Sequence, residues 1–515
     1  MSEAEANANA AWYFVDRHLA TRADKPAFVE SQPDGRVLTY GGLAEASDRM
    51  ASLYRRHGIR REDRAAMIVL DMVEFPIIFW GSLKCGVVPI AINTLLGGDV
   101  YDAILRDSRA RVLFVSQALW PVVEPVVKNQ PHIERIVFIG DNAPEGTLHF
   151  ASELASSEPV AMIEAGSDEC AFWLYSSGST GRPKGVRHVH GSLRATADTY
   201  GAQVLGIRED DVVFSAAKFF FAYGLGNAMT FPMSVGATTV ILAGRPTPDS
   251  VLDIFERHRP TIFCGVPTLY AALVAAMKGG RPAGFDRLRH SISAGEALPE
   301  EVGKRWEAIT GTPILDGVGS TEMLHIFLSN RLGDVVYGTS GTAVPGYELR
   351  LVDENNRDVA PGEVGELLVN GPSAADGYWN QRDKSRSTFE GAWTRTGDKY
   401  ELREDGRLVY CGRTDDMFKV SGIWLSPFEV EQALVTHPAV LEAAVVAERD
   451  EDGLEKPKAF VVLKEGGEDD DAFREQLKEH VKARIGKWKY PRWVEVVDDL
   501  PKTATGKIQR FRLRA

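Results

Sequence analysis

Short apolar runs alternate with longer amphipathic stretches through most of this 515-residue chain, and that rhythm leaves few folds open. Residues 64–70 (RAAMIVL), 111–115 (RVLFV), 135–139 (RIVFI), 238–242 and 261–265 are strand-length blocks, and 74–84 has the length and spacing of a helix with its apolar face inward. Strands that alternate with helices pack as parallel sheets covered on both faces, so an α/β architecture with stacked, largely parallel sheets is expected. A chain of this length exceeds one core and implies at least two domains.

From about residue 348 the rhythm changes. Segments 348–352 and 365–369 are strand-like and joined by Gly, Pro, Asp and Asn turns, the pattern of a β-rich subdomain. After the charged stretch GRTDDMFKVSG (412–422) comes a helix at 427–437 with Pro427 in its first turn, strands at 442–447 and 458–463, and an amphipathic helix at 472–485. The expected boundaries are 1–412 for a large N-terminal domain, 413–416 for the connection and 417–515 for a small α+β domain.

Composition narrows the partners. A net charge of −13 argues against nucleic acid, whose phosphates are bound by clustered Lys and Arg. The cysteines Cys85, Cys170, Cys264 and Cys411 form no CxxC pair, so neither a zinc site nor a disulfide framework is expected, and a reduced, cytoplasmic setting fits. The most apolar region, 65–92, is interrupted by Asp71, Glu74, Pro76 and Lys84 and falls short of a membrane span. The start, MSEAEANANA, has no basic residues leading into an apolar stretch, so no signal peptide is expected. The acidic run 468–471 reads as a solvated loop before a helix.

The chemistry concentrates at 175–185, YSSGSTGRPKG. Hydroxyls and glycines in this density suit a loop whose N–H and O–H groups surround phosphate oxygens, with Lys184 as a mobile cation and Arg182 beside it. It is not a Walker A loop, because Gly181 is followed by Arg182, and no dinucleotide fingerprint or Gly-x-Ser-x-Gly elbow occurs elsewhere. Further on come GVGSTE (317–322), TGD (396–398), RTDDMFKVSG (413–422) and PKTATGK (501–507). In that order and at that spacing, the set resembles the acyl-adenylate-forming superfamily, which includes acyl- and aryl-CoA ligases, luciferases and peptide-synthetase adenylation domains.

The resemblance implies ATP, Mg²⁺ and coenzyme A as reactants and cofactors. Lys507 looks like the lysine that bridges the acid's carboxylate and the α-phosphate. Two anions meet there, and positive charge must follow the charge as it redistributes. Thr180 and Glu322 resemble the residues that bind phosphate and hold Mg²⁺, a hard cation suited by oxygen. Ser176, Ser177, Gly178, Ser179, Thr180, Gly181 and Lys184 would enclose the phosphates. Gly295, Glu296, Asp316, Gly317, Val318 and Thr321 would line the adenine site, with Val318 standing where many relatives carry an aromatic ring. Asp398 and Arg413 would hold the ribose.

The same resemblance makes the small domain mobile, turning about a hinge at Asp415 between adenylation and thioester formation. Lys507 would serve the first state. Lys419 and Gly422 would flank the pantetheine channel in the second, where a residue without Cβ lets the thiol arm pass. Lys487 and Trp488 are the candidate contacts for the CoA nucleotide, whose phosphates and adenine favour basic and aromatic side chains together.

For the acid, FFFAYGLGN (219–227), STEMLHIFLSN (320–330), SAAK (215–218) and SAGEALP (293–299) resemble benzoate–CoA ligases and, next, 4-hydroxybenzoate–CoA ligases. Phe221 would gate the reacting carboxyl, and Ala222, Tyr223, Gly319, His325 and Ile326 would line a ring pocket. An aromatic carboxylate joined to CoA through an aryl-adenylate is the expected reaction, by a monomer or a homodimer. A 4-hydroxybenzoate or aminobenzoate ligase and a carrier-loading adenylation module stay as alternatives; no appended carrier segment is visible.

Overall fold

The computed structural model describes residues 8–177, 183–420, 423–451, 453–464, 469–486, 488–502 and 508–514. The chain divides into two compact units, residues 1–349 with 369–394, and residues 350–368 with 395–515.

Among the described residues, the first unit holds one sheet of nine strands and one of eight. The eight-stranded sheet is organised around Arg64–Ile68, which pairs in parallel with Val112–Ser116 on one side and Val88–Ala91 on the other. Every residue of Val112–Ser116 is buried, as a parallel strand covered on both faces requires. In the nine-stranded sheet, Val212–Ser215, Ile262–Gly265, His290–Ala294 and Ile314–Gly319 run parallel in succession, and Ile326–Ser329 returns antiparallel against the last. The expected α/β architecture is therefore present. His290–Ala294 (HSISA) and Ile314–Gly319 (ILDGVG) carry too much Ser, Gly and Asp to read as strands, yet both sit inside a sheet.

Two local expectations change. The helix Glu74–Cys85 has no solvent face, since all twelve of its residues are buried. Lys84 Nζ is accommodated there by Asp16 and Asp48, each at 2.7 Å, because a buried ammonium needs paired charge. No helix among the described residues is long and apolar enough to cross a membrane. The two ends of the segment 175–185, expected as a loop, are strand: Tyr175, Ser176 and Ser177 stand in register with Gly185, Lys184 and Pro183. These positions extend the antiparallel pair Cys170–Ser177 and Pro183–Val189, and 178–182 lie outside the described residues. Hydroxyls and glycines masked a ladder whose register is set further down by apolar pairs such as Leu174 with Val186. The short strand Gly377–Tyr378 adds to the outer side, placing Tyr378 opposite Val186.

In the second unit the hairpin of Trp393–Leu402 and Leu408–Arg413 puts Asp398 across from Arg413. Beyond it, Ser426 caps the helix Pro427–Val435, which carries proline in its first turn. Val440–Arg449 runs antiparallel to Glu455–Leu463, and the latter pairs in parallel with Trp493–Val496. Asp470 caps the helix Asp471–Ile485 by accepting from the Phe473 N–H. Val430, Leu434, Val445, Val461, Leu477 and Val481 close this α+β core, each worth about 1.5–3 kcal/mol on burial.

Candidate active site

The strand Pro183–Val189 brings Lys184 to Glu322. Lys184 Nζ lies 3.8 Å from Glu322 Oε1, with both side chains about one-sixth exposed, at 15% and 16%. Between them stands Tyr378. Its hydroxyl donates to Glu322 Oε1 at 2.7 Å, and Lys184 Nζ lies 3.5 Å from that hydroxyl and 4.7 Å from the ring centroid. The loop carrying Glu322 is fixed by its backbone: Ala375 N–H donates to Glu322 O, and His188 Nε2–H donates to Thr321 O, both at 2.8 Å. Burial pushes the His188 imidazole down to about 4, so it is a neutral donor at physiological pH. Neither Tyr378 nor His188 was singled out from sequence. Their signal is register: His188 lies on the lysine's own strand and Tyr378 on the short strand paired with it, and register is invisible without a partner strand.

The strand Ile314–Gly319 presents Asp316 on a fully buried face and ends with Val318 half-buried and Gly319 exposed. Burial pushes the Asp316 carboxyl up to about 8, against the opposing effect of the Leu298 N–H. Asp316 Oδ1 and Ser176 Oγ have no hydrogen-bond partner among the described residues. Gly295 follows the neighbouring strand with φ 98°, a conformation open to glycine, and Glu296 beside it is exposed.

Four of the five ring-pocket residues come together. His325 is buried among Tyr200, Phe231 and Tyr223, with ring centroids at 5.1, 4.5 and 5.8 Å, and its Nε2 faces Tyr223 O at 3.3 Å. Burial pushes this imidazole down to about 3, so Nε2–H donates and Nδ1 is left as an acceptor. A Cβ at Gly319 would lie 2.5 Å from His325 O, and one at Gly317 would lie 2.9 Å from Ile326 Cγ2, so only glycine lets these walls approach. The Tyr223 hydroxyl is taken up by the scaffold, facing Ile292 O at 3.0 Å and Gly265 O at 3.1 Å, which leaves its ring as the wall. Leu324, two residues after Glu322, has φ 62°, a strained value for a branched side chain.

Ala222 opens the short helix Ala222–Leu225, with Phe221 just before it. The turn leading there is fastened twice. Phe221 N–H donates to Lys218 O at 3.0 Å, and Phe219 N–H faces the Asp71 carboxylate at 3.3 Å. Asp71 is buried and pushed up to about 6 by that burial. From sequence it was only an interruption in an apolar run.

In the second unit, Arg413 Nη1 donates to Asp398 Oδ1 and to Thr396 O, each at 2.9 Å. Asp415 is exposed, Lys419 sits in the strand Phe418–Val420, and Trp488 packs against the core of this unit. Lys489 beside it pairs with Glu429 at 2.5 Å. Gly178, Ser179, Thr180, Gly181, Gly422, Lys487 and Lys507 lie outside the described residues.

A lysine on a strand, a loop carboxylate 3.8 Å from it and an apolar wall that approaches closely at Gly317 and Gly319 are groups that nucleotide-dependent activation of an organic acid can use. The chain belongs to the AMP-binding enzyme family: residues 15–379 match that family, and residues 429–507 match the AMP-binding enzyme C-terminal domain. It is similar to the 4-hydroxybenzoate–CoA/benzoate–CoA ligase of Rhodopseudomonas palustris, 54% identical over 98% of this chain and 94% of that protein. Similarity to the benzoate–CoA ligase of Thauera aromatica is also 54%, over 98% and 96%. Among solved structures, it is similar to a benzoate CoA ligase from Burkholderia xenovorans LB400 (48% identity, 99% and 100% covered, TM-score 0.89). It also resembles the anthranilate CoA ligase AuaEII in complex with anthranoyl-AMP (41%, 99% and 97%, TM-score 0.92).

Proposed function

We propose that this protein joins benzoate to coenzyme A in two steps. ATP and benzoate give benzoyl-AMP and pyrophosphate, and CoA then displaces AMP to give benzoyl-CoA. The observation that carries this reading is identity of 54% across nearly the whole chain with two ligases named for benzoate, joined to an apolar, glycine-lined face at Tyr223, His325 and Ile326. Such a face suits a flat ring.

In the first step Lys507 neutralises the carboxylate and α-phosphate as they meet, and the segment from Ser176 to Lys184 surrounds the phosphates. Gly295, Glu296, Asp316, Gly317, Val318 and Thr321 receive the adenine, and Asp398 with Arg413 the ribose. Among the described residues no group of three His, Cys, Asp or Glu could cage a metal. Mg²⁺ held by one or two carboxylates and the substrate's own phosphates needs no cage, and Glu322 with Thr180 fits that role. When bound, it screens the phosphate charge. For the second step, rotation about Asp415 withdraws Lys507 and brings Lys419 and Gly422 to the thiol, with Lys487 and Trp488 toward the CoA nucleotide. The cytoplasm, where ATP and CoA are at hand, suits the reaction.

A second substrate, 4-hydroxybenzoate, is favoured by a specific observation. His325 Nδ1 has no hydrogen-bond partner among the described residues, and the Tyr200 hydroxyl, on a ring 5.1 Å away, has only the Ser329 side chain to answer it. The neighbouring Ser329 gives its proton to Asn330 O at 2.8 Å. A ring hydroxyl that donates to Nδ1 and accepts from Tyr200 would relieve a buried deficit of about 1–3 kcal/mol. The test is a panel of acids assayed for ATP- and CoA-dependent AMP release. Benzoate is expected to have the highest kcat/KM, 4-hydroxybenzoate to be used, and Tyr200→Phe to lower the second more than the first. Preference for acetate or a fatty acid would overturn the aromatic assignment.

A further inference from the structure

The backbone turns tightly around Asp415, since Asp416 N–H and Met417 N–H both donate to Arg413 O at 3.0 Å, but the side chains before and after it have different partners. Upstream, Arg413 is fastened to Asp398 and Thr396, and Thr414 N–H donates to Gly397 O at 2.8 Å. Downstream, Asp416 receives Arg510 Nη1 at 3.3 Å and Arg514 Nη2 at 2.5 Å. Arg510 also forks onto Glu431, from Nε to Oε1 at 2.9 Å and from Nη2 to Oε2 at 2.6 Å. Glu431 is buried, and its Oε1 accepts the Val445 N–H at 2.8 Å as well. A planar guanidinium held at three nitrogens has little freedom left.

Arg510 follows three residues after Lys507, and both flanks of the 503–507 segment are pinned. Lys502 and Ile508 form an antiparallel bridge, and Gln509 N–H donates to Pro501 O at 2.7 Å. Ile508 also packs against a small core that includes Ala444, Phe460 and Leu500. Pro501–Lys502 and Ile508–Gln509 are thus tied to one another, and Arg510 fixes the end that follows Lys507 to the residue next to Asp415.

We propose that Asp416 and Arg510 are positioning residues that clasp the chain just after Lys507 to the peptide beside the pivot, so that rotation there carries the lysine along with the small unit. This rests on the roles given above to Lys507 and Asp415. Without the clasp the small unit keeps its own core, but Lys507 arrives with a wider spread of positions. Adenylation, the step that uses it, then slows, while transfer from finished adenylate to CoA does not.

The experiment measures both half-reactions on the full chain: benzoate-dependent ATP–pyrophosphate exchange, and thioester formation from supplied benzoyl-AMP and CoA. Asp416→Ala removes the clasp while leaving Arg510 paired with Glu431. It is expected to lower exchange by about tenfold to a hundredfold through kcat, the scale of a small misplacement, with transfer within about threefold of the parent. Arg510→Met should do the same and Arg510→Lys should recover part of the loss. If Arg510→Met fails to fold, Asp416→Ala decides alone. Lys507→Ala is run in parallel. Equal loss of both half-reactions in Lys507→Ala would overturn the assignment of Lys507 itself, and the clasp with it. A split in Lys507→Ala, combined with no split in Asp416→Ala, overturns the clasp alone.

Discussion

Glu322 and Asp398 each face a cation, but the two pairs are made differently. Asp398 meets Arg413 directly across a strand ladder at 2.9 Å, with the guanidinium 42% exposed. Glu322 and Lys184 stand 3.8 Å apart, both mostly buried, with the Tyr378 hydroxyl bonded to the carboxylate between them. A direct pair orients both partners and gains little net energy in contact with water. A pair held apart by a neutral donor keeps the carboxylate oriented without committing the lysine to it. The first arrangement suits hydrogen bonding to a neutral sugar, and the second suits a site where phosphate and metal must compete for the same charges.

The largest effect expected from this difference is at Glu322. Glu322→Gln keeps the acceptor for Tyr378 but removes the charge, and pyrophosphate exchange should fall by about a hundredfold to a thousandfold, the scale seen when one preorganised electrostatic contact is lost. Asp398→Asn should cost much less. Equal losses in the two variants would erase the distinction.

Next is the spacer. Tyr378→Phe removes the 2.7 Å hydrogen bond and lets Lys184 close onto Glu322. The Mg²⁺ concentration for half-maximal exchange should rise by about tenfold, as for loss of a residue that orients a metal ligand. An unchanged Mg²⁺ dependence would reduce Tyr378 to packing. Smaller still, Arg413→Lys shortens the reach to Asp398 and Thr396, which Nη1 alone now bonds. Because the Arg413 side chain is 42% exposed and a lysine keeps the charge, the KM for ATP should rise by about fivefold at most.

These three predictions also mark what the sequence made legible. Lys184 could be named from the hydroxyl- and glycine-rich run around it, and Glu322, Asp398 and Arg413 from the resemblance of GVGSTE, TGD and RTDDMFKVSG to the adenylate-forming family. Tyr378 could not, since an uncharged Gly-Tyr-Trp run gains meaning only when Gly377–Tyr378 pairs with the strand bearing Lys184. The parallel strands with continuous Val, Ile and Phe were legible, whereas HSISA and ILDGVG were not, because sheet neighbours rather than propensity make them strands. Tyr223 illustrates the same limit within a side chain. The resemblance of FFFAYGLGN to benzoate–CoA ligases pointed to the pocket, but only the fold shows its hydroxyl turned to the Ile292 and Gly265 carbonyls.

Asp316 extends the comparison to a carboxylate whose acidity is set by burial. Its carboxyl is pushed up to about 8, whereas in the unfolded chain it would titrate near 3.9. Between those values the folded protein holds a proton that the unfolded chain has released. Stability from this group is therefore fully present below about pH 4 and is lost as the pH rises toward 8. Asp316→Asn keeps the shape and an acceptor but cannot titrate, so the decline in Tm between about pH 6 and pH 8 should flatten. The difference should be several degrees, because linkage over that range amounts to about 2 kcal/mol and about 1 kcal/mol moves Tm by about 2–4 °C in a large domain. Thermal unfolding of both proteins across that range, without nucleotide, gives the comparison. Parallel declines would mean that Asp316 keeps the same charge in the folded and unfolded chains. Its carboxyl would then have to be ionised in place, joining Glu322 and Asp398 as a charged group.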